Sequence, residues 1–422
     1  MPTKIKKSDV LLPKKTSAST KKNTKKTVSK KLPSVLMPVA KASTSPSWSE
    51  HVYKASPQPM VIKKTRPSHI TFWEYSIWVS GLLVIALLVS TAYVVDDINS
   101  GRGTRVTHSS AAEQSEIIFS PLTGERVTSE VLSRRPMAVM IENLSSVRPQ
   151  SGLSFADVVW EAPTEGGITR FLAIFQKGLP SKIGPVRSAR PYFVEWASEV
   201  GALYAHSGGS SEALDLLAKG LPRLRDVNEF ANGSAFWRES KEEAPHNLYT
   251  SAEIFYKYIT DHDWQSVAGQ TTPWVYISDT GAKLAVSNQQ AREILVPYYP
   301  FEYDVLWRYN AADNLYTRFM DGKEHKDDVT NENIQFKNLV VMFTDVIPVP
   351  KDPLLKVNLR AIGKGTAYLF SHGQVYKGEW QKSSKDSRTM FTDGLGNYLP
   401  LTEGNTWISV VDKAQESELE YK

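Results

Sequence analysis

Residues 157–176, DVVWEAPTEGGITRFLAIFQ, hold two apolar runs separated by a short polar segment with two adjacent glycines. The runs at 157–162 and 169–176 have the length and the β-branched and aromatic content of buried strands. Glu165-Gly166-Gly167 suits a turn between them, because glycine adopts backbone conformations that tight turns require. This stretch therefore predicts a strand, a turn and a second strand.

The flanking sequence adds more strands and several helices. MAVMI at 137–141 and ALYAHSG at 202–208 are further strand candidates. A helix is predicted over 191–200, and two more are predicted after serines that can cap a helix, Ser211 and Ser251. Residues 120–268 are therefore predicted to form an α+β domain in which a mixed sheet packs with helices.

After residue 268 the pattern changes to runs rich in Tyr, Val, Phe and Thr, separated by turn dipeptides. The hairpin signals are Asp321-Gly322, His372-Gly373 and Asp393-Gly394. The runs at 339–348 and 406–412 are further strand candidates. We therefore predict a mostly β domain over 269–415, followed by a tail at 416–422; a sheet shared with the first domain is one arrangement that this pattern allows.

An uncharged run of 21 residues, 75–95, precedes these domains. As a helix it would be about 31 Å long, which is enough to cross a bilayer. A soluble core helix of this length would show a polar face, and a signal peptide would have a shorter apolar region close to the N-terminus. The sequence therefore predicts one transmembrane helix within 71–96 and a flexible stalk over 97–119.

The charge distribution predicts the orientation of this helix. Residues 1–70 hold 16 Lys and Arg against two acids, whereas the rest of the chain holds 34 against 43. Because positive segments stay in the cytoplasm, we expect a disordered, Lys-rich cytoplasmic tail over 1–70 and both domains outside the cell membrane. The tail lacks aromatic interleaving and has almost no Arg, so its expected partner is the lipid bilayer, and no nucleic acid is expected.

Common catalytic signatures are absent from the sequence, which has no HExxH, no GxSxG, no Walker loop, no dinucleotide glycine fingerprint and no cysteine. Charged residues and glycines instead concentrate within 143–249, several of them at the ends of predicted strands, where sites are commonly built. The candidate catalytic residues are Glu165, His206 and His246. The candidate ligand-binding residues are Glu161, Arg170, Arg187, Arg190 and Asn247.

These residue types are compatible with more than one chemistry. The histidines suit proton exchange at neutral pH. Alternatively, they could bind a divalent metal such as zinc together with Glu165 or Glu161, since three protein ligands plus water are a catalytic zinc pattern. The guanidinium group of an arginine can donate two parallel hydrogen bonds to a carboxylate or a phosphate. The alternative is structural: hydrogen-bonded histidines, and arginines paired with Glu161, Glu165 or Glu195.

Several longer strings are specific enough to indicate a family. They are PLTGERV, RPMAVMIEN, RPQSGLSFADVVWEAPTEGGITRFLAIFQ, KIGPVRSARPYFVEWA, HSGGS and APHNLYTS over about 120–252, with YNAADNLYTRFMDGKEHKDD, NLVVMFTD and GEWQKSSKDSRTMF further on. These strings resemble both domains of the YerB-like family of bacterial extracytoplasmic proteins. Members are often lipoproteins, whereas this sequence has no cysteine and its predicted tether is a helix. The resemblance implies a cell-envelope role and does not assign catalytic residues.

Two classes of function follow from these observations. The leading hypothesis is a membrane-anchored extracytoplasmic cell-envelope protein that binds or modifies a cell-wall component, such as a wall polymer, through a charged cleft lined by residues of 161–249. The alternative is a non-catalytic scaffold that docks on another envelope protein, for example a cell-wall synthase. A scaffold needs an exposed apolar patch, whereas an enzyme needs polar groups that converge in a pocket.

Overall fold

The computed structural model describes residues 118–264, 271–279, 289–299 and 303–422. The predicted cytoplasmic tail, the predicted transmembrane helix and almost all of the predicted stalk lie outside these residues. Within the described ranges, no helix is both long and apolar enough to cross a membrane.

The N-terminal half contains the α-helices and short strands on either side of them. Its strands are β1 (Ile118–Phe119), β2 (Arg126–Val127), β3 (Met137–Glu142), β4 (Val158–Pro163), β5 (Thr169–Phe175), β6 (Leu203–His206), β7 (Arg225–Asn228), β8 (Trp237–Arg238) and β9 (Leu248–Tyr249). Its helices are α1 (Ser129–Ser133), α2 (Pro191–Glu199), α3 (Ser211–Ala218) and α4 (Ala252–Asp261), and its 3₁₀ turns are Ser145–Val147, Leu153–Phe155, Glu165–Gly167 and Gly233–Ala235.

The C-terminal half is built almost entirely from strands. They are β10 (Tyr276–Ile277), β11 (Glu293–Val296), β12 (Val305–Asn310), β13 (Leu315–Met320), β14 (Lys323–Glu324), β15 (Gln335–Phe336), β16 (Asn338–Thr344), β17 (Val346–Pro348), β18 (Val357–Leu359), β19 (Gly363–Ser371), β20 (Gln374–Lys382), β21 (Met390–Thr392), β22 (Leu401–Thr402), β23 (Thr406–Asp412) and β24 (Glu420–Tyr421), with a 3₁₀ segment at Lys413–Glu418.

One mixed sheet of ten strands, in the order β21-β20-β19-β16-β23-β4-β5-β3-β6-β7, runs through both halves. At its centre β23 pairs in parallel with β4, so that Ser409 lies opposite Glu161. The strands β3, β4, β6, β7, β16 and β23 all run in one direction. Their carboxyl ends therefore meet at one end of the sheet, which we call the carboxyl end, and their first residues meet at the opposite, amino end.

Both faces of this sheet are covered, which explains why its central strands are apolar throughout. Successive residues of a strand point to opposite faces. Val139 and its alternate neighbours pack against α4 and a second sheet, β14-β13-β12-β11-β24 with β15 beside β13. Met140 and its alternate neighbours pack against α2 and α3, where Trp160 and Trp196 stack with ring centroids 4.5 Å apart. The described chain is thus mostly β with few helices, and the predicted mixed sheet is confirmed.

The helix starts agree with prediction except at one cap. α2 begins at Pro191, and Ser251 caps α4 by accepting a hydrogen bond from Ile254 N at 3.2 Å. The predicted cap of α3 is wrong, because Ser211 is already helical, whereas the extended residue Ser210 accepts from Ala213 N at 3.3 Å. A capping side chain must stand outside the first turn to reach the free N–H groups within it.

Two of the three predicted hairpin turns join paired strands. Asp321-Gly322 connects β13 with β14, and His372-Gly373 connects β19 with β20; all four residues have positive φ. Asp393-Gly394 also lies in a turn, after which the chain returns antiparallel to β21 through a bridge between Thr392 and Tyr398 and a hydrogen bond from Leu399 N to Phe391 O at 2.9 Å. The third hairpin is therefore confirmed in part, because the returning segment meets β21 but forms no strand beside it.

Candidate functional site

Residues 183–190 lie across the carboxyl end of the ten-stranded sheet and bring two arginines to it. Arg187 N donates to Met140 O at 2.9 Å, and Ser207 N donates to Arg187 O at 3.0 Å. The segment is therefore held between the ends of β3 and β6, and the Arg187 and Arg190 side chains lie where several strands end.

Glu165 forms the centre of a first charged group. Its carboxylate accepts a hydrogen bond from Arg170 Nη2 at 3.1 Å and also pairs with the guanidinium of Arg190. Burial opposes ionisation of Glu165, yet the charges of Arg170 and Arg190 hold its pKa below the usual value. Burial, followed by the charge of Arg190, lowers the pKa of Arg170 to about 10. Two guanidinium groups thus share one carboxylate.

Glu142, the last residue of β3, forms the centre of a second charged group. Its carboxylate lies 3.2 Å from Arg187 Nε and 2.8 Å from His246 Nδ1. Glu142 is directly opposite Arg170 in the β3–β5 ladder, so the two charged groups are neighbours on the same face. The His246 side chain is 32% exposed, and within the described residues its Nε2 makes no hydrogen bond. This nitrogen is available for proton exchange with a ligand.

A second series of polar contacts begins at Asn247, which follows His246 in the chain, and leads back to the backbone of Arg187. Asn247 Oδ1 accepts from Arg238 Nη1 at 2.8 Å, Arg238 pairs with Glu229, and Glu229 accepts from Ser207 Oγ. The polar ring, as we call this set, consists of Arg187, Glu142, His246, Asn247, Arg238, Glu229 and Ser207. It contains three of the predicted site residues and closes through the bond between Ser207 and Arg187.

His206 lies beneath the polar ring and is fully buried. Its Nδ1 is 2.6 Å from Gly208 O, and its Nε2 is 2.6 Å from Asp226 Oδ1 on β7. Both ring nitrogens thus face oxygen acceptors supplied by the protein. The contacts show that His206 holds the turn after β6, where Gly208 has a φ of +61°.

Glu161 lies on the opposite face of the sheet, away from the other predicted site residues. Both of its carboxylate oxygens accept from Arg318 Nη2 at 2.8 Å, and Thr169 Oγ1 and Trp407 Nε1 donate to it as well. Arg318 also contacts His325, whose pKa burial and the charge of Arg318 lower well below its usual value. Glu161 is therefore part of a buried ion pair between the two sheets.

A zinc site would require His206, His246 and Glu165 to converge on one point. In the structure each has a different partner, namely Asp226, Glu142 and the two arginines. Across the described ranges, no group of three or more His, Asp or Glu side chains is placed to hold a metal ion. The three donors therefore do not fit a shared coordination sphere.

Sequence reasoning missed Glu142, Arg238, Glu229 and Asp226. Glu142 could have been found, because it is the first charge after the apolar run MAVMI, the same pattern that selected Glu161. Arg238 and Glu229 belong to the less regular stretch between β7 and β9, where periodicity carries no signal. Their role is visible only from their contacts.

Comparison with known proteins identifies the family of this chain. Residues 122–265 match the N-terminal domain, and residues 294–408 the C-terminal domain, of the family described as Protein of unknown function (DUF3048). The chain is 36% identical over 293 residues to the "Putative lipoprotein YerB" of Bacillus subtilis (strain 168), which covers 69% of this chain and 85% of that protein. The crystal structure of YerB from Bacillus subtilis matches with a TM-score of 0.61 at 32% identity, over 70% of this chain and 96% of that one. The chain therefore belongs to the DUF3048 family, the YerB-like proteins.

Proposed function

We propose that this protein is a membrane-anchored extracytoplasmic protein that binds an anionic component of the cell wall at the carboxyl end of its large sheet. The observation that carries the proposal is the charge of the two groups: within the described residues, Arg170, Arg187 and Arg190 are ion-paired with two carboxylates, Glu142 and Glu165. The unmatched guanidinium charge suits a carboxylate or phosphate. Proton exchange at His246 would extend binding to modification of the bound component.

The first described residues and the charged groups lie at opposite ends of the large sheet. At the amino end Gly404 N, just before β23, donates to Thr123 O at 2.8 Å.

The proposed anchor is the apolar segment 75–95. The Bacillus subtilis relative is named "Putative lipoprotein YerB", which supports an envelope location for this chain. Protease added to intact spheroplasts should degrade the chain beyond Asp96 and spare the Lys-rich tail. Protection of residues 120–422 from protease would contradict the membrane part of the proposal.

Binding is tested with the full chain in detergent and isolated peptidoglycan, whose stem peptides carry free carboxylates. Arg187→Gln and Arg190→Gln should each weaken retention about tenfold or more, since a hydrogen bond to a charged group contributes about 1.5–3 kcal/mol. Arg308→Gln is the matched control, because Arg308 is an exposed, ion-paired arginine on β12 of the second sheet.

Melting temperatures measured in parallel show whether each variant is folded. Unchanged retention in both site variants, or no retention of the unmodified protein, would contradict binding at this site. An equal loss in the Arg308 variant would show that binding depends on overall charge and would reject the assignment to the carboxyl end.

A scaffold is the second candidate function, and one surface favours it. The β17–β18 hairpin exposes Ile347, Leu354 and Leu355, and Leu355 O accepts from Gly166 N beside Glu165. Exposed aliphatic side chains clustered on one element are typical of protein interaction sites. A photo-crosslinking side chain that replaces Leu354 should then capture a cell-wall synthase in intact cells. The same crosslinking side chain at Leu395, which is also exposed, should not. Equal capture at both positions would reject a specific interface.

A further inference from the structure

Phe230 presents an exposed aromatic ring beside the polar ring. Its side chain is 79% exposed, and it follows Glu229, a member of the polar ring. Asn228 Oδ1 accepts from both Phe230 N at 3.3 Å and Gly208 N at 3.1 Å. The backbone of Phe230 is thus fixed beside the turn at Gly208, while most of its side chain faces water. Neither of the proposed functions uses this exposed ring.

We propose that Phe230 is a platform on which a pyranose ring of an anionic saccharide stacks while the arginines bind its acidic group. This inference rests on the proposed binding of a wall component and names its chemical class. The C–H groups on one face of a pyranose are electropositive and pack against the negative face of an aromatic ring. The hydroxyl groups at the edge of a sugar need polar partners, and the neighbouring Glu229 and Arg238 provide both an acceptor and a donor.

Backbone contacts place the platform and the arginines on two sides of the same turn. The Phe230 ring packs against Gly208, and Gly208 O accepts a hydrogen bond from Ala189 N at 2.9 Å. Ala189 directly precedes Arg190, and Arg187 is bonded to Ser207. In this arrangement a saccharide with an acidic substituent would contact the ring on one side of this turn and a guanidinium on the other.

Gly208 keeps the platform in this position. A Cβ atom at residue 208 would lie 3.0 Å from Phe230 Cε2, and the φ of +61° is unfavourable for any residue with a side chain. His206 fixes the same turn through its contact with Gly208 O. Gly208 and His206 are therefore positioning residues for the platform.

The test uses the full chain in detergent with two probes, isolated peptidoglycan and inorganic polyphosphate, an anion without sugar. Phe230→Ala should weaken peptidoglycan retention about tenfold, as expected for loss of an aromatic stack, and should leave polyphosphate binding unchanged. Phe230→Tyr should bind both peptidoglycan and polyphosphate like the unmodified protein. Phe119→Ala is the matched control, because Phe119 is an exposed phenylalanine at the amino end of the sheet and 50% exposed.

The outcomes separate this inference from the function on which it rests. If Phe230→Ala retains peptidoglycan like the unmodified protein while Arg187→Gln does not, the platform is rejected and the anion site stands. Equal weakening of both probes by Phe230→Ala also rejects the platform. If the unmodified protein retains no peptidoglycan, both proposals fail. Gly208→Ala, if folded, should reproduce the selective loss seen with Phe230→Ala; an unselective loss would count against the platform.

Discussion

Glu161 and Glu165 are four positions apart in the chain and have different roles. Glu161 points from β4 toward the second sheet, where it is fully buried against Arg318. Glu165 lies beyond the end of β4 and remains partly exposed between Arg170 and Arg190. The role of each carboxylate therefore depends on the sheet face to which it points and on its distance from the end of the strand. Both residues are glutamates, so the residue type alone does not distinguish these roles.

Arg318→Met should destabilise the protein strongly, because it leaves Glu161 as a buried charge without its cation. We expect a loss of about 3–5 kcal/mol in the free energy of unfolding, measured by urea denaturation of the chain from Ser120 onward. Arg308→Met, in an exposed pair of the same sheet, should have little effect. Similar losses of unfolding free energy in both variants would show that the buried ion pair contributes no more to stability than the exposed one.

Asp157 should make stability depend on pH. Burial raises its pKa to about 6, although the backbone N–H groups of Gln176 and Lys177 donate to its carboxylate. The unfolded carboxyl titrates at about 3.9, so this residue stabilises the folded state at low pH, and its contribution is lost as the pH rises through about 6. Asp157→Asn should remove about 2 kcal/mol of that dependence between pH 4 and pH 7, measured by urea unfolding. Parallel pH curves for both proteins would contradict the shift.

At the scale of elements, the cap of α3 offers a test with two adjacent serines. Ser210→Ala should cost about 1 kcal/mol, because Ala213 N loses its acceptor. Ser211→Ala should cost much less, since Ser211 is exposed in the first helical turn. Urea unfolding of the two variants decides the matter, and a larger loss for Ser211→Ala would restore the cap expected from the sequence.

Turn dipeptides predicted hairpins where both flanking segments could pair. Asp321-Gly322 and His372-Gly373 are each flanked by strand residues, and both form two-residue connections. Asp393-Gly394 is followed by Gly396 and Pro400, which weaken a strand through lost side-chain packing and a missing N–H. A turn signal therefore identifies the turn reliably, but the pairing also requires a competent second strand.

At the scale of the whole molecule, the large sheet crosses the predicted domain boundary at residue 268. β4 has β5 of its own half on one side and β23 of the other half on the other side. The described residues all belong to one compact unit. Each half alone therefore lacks strand partners and packing surfaces that its central strands have in the whole molecule.

The chain from Ser120 to Lys422 should consequently unfold in a single transition. Residues 120–268 alone should not fold, because β4 would lose β23, and Val159 and Phe171 would lose the second sheet that covers them. Scanning calorimetry and the dispersion of proton NMR signals measure both outcomes. Two separate transitions, or a well-dispersed spectrum of the shorter chain, would show that the halves are independent.

Local sequence patterns were sufficient to predict β3, β4 and β5, the starts of α2 and α4, two hairpin turns and the family, because these depend on residues close together in the chain. The same patterns predicted charged residues at strand ends. Which of these charges meet follows from the tertiary fold: Glu142 meets His246, 104 positions away, and Glu161 meets Arg318, 157 positions away. Such pairs depend on strand order and on the face to which each residue points, and because a shift of one residue in register reverses that face, local patterns do not specify them.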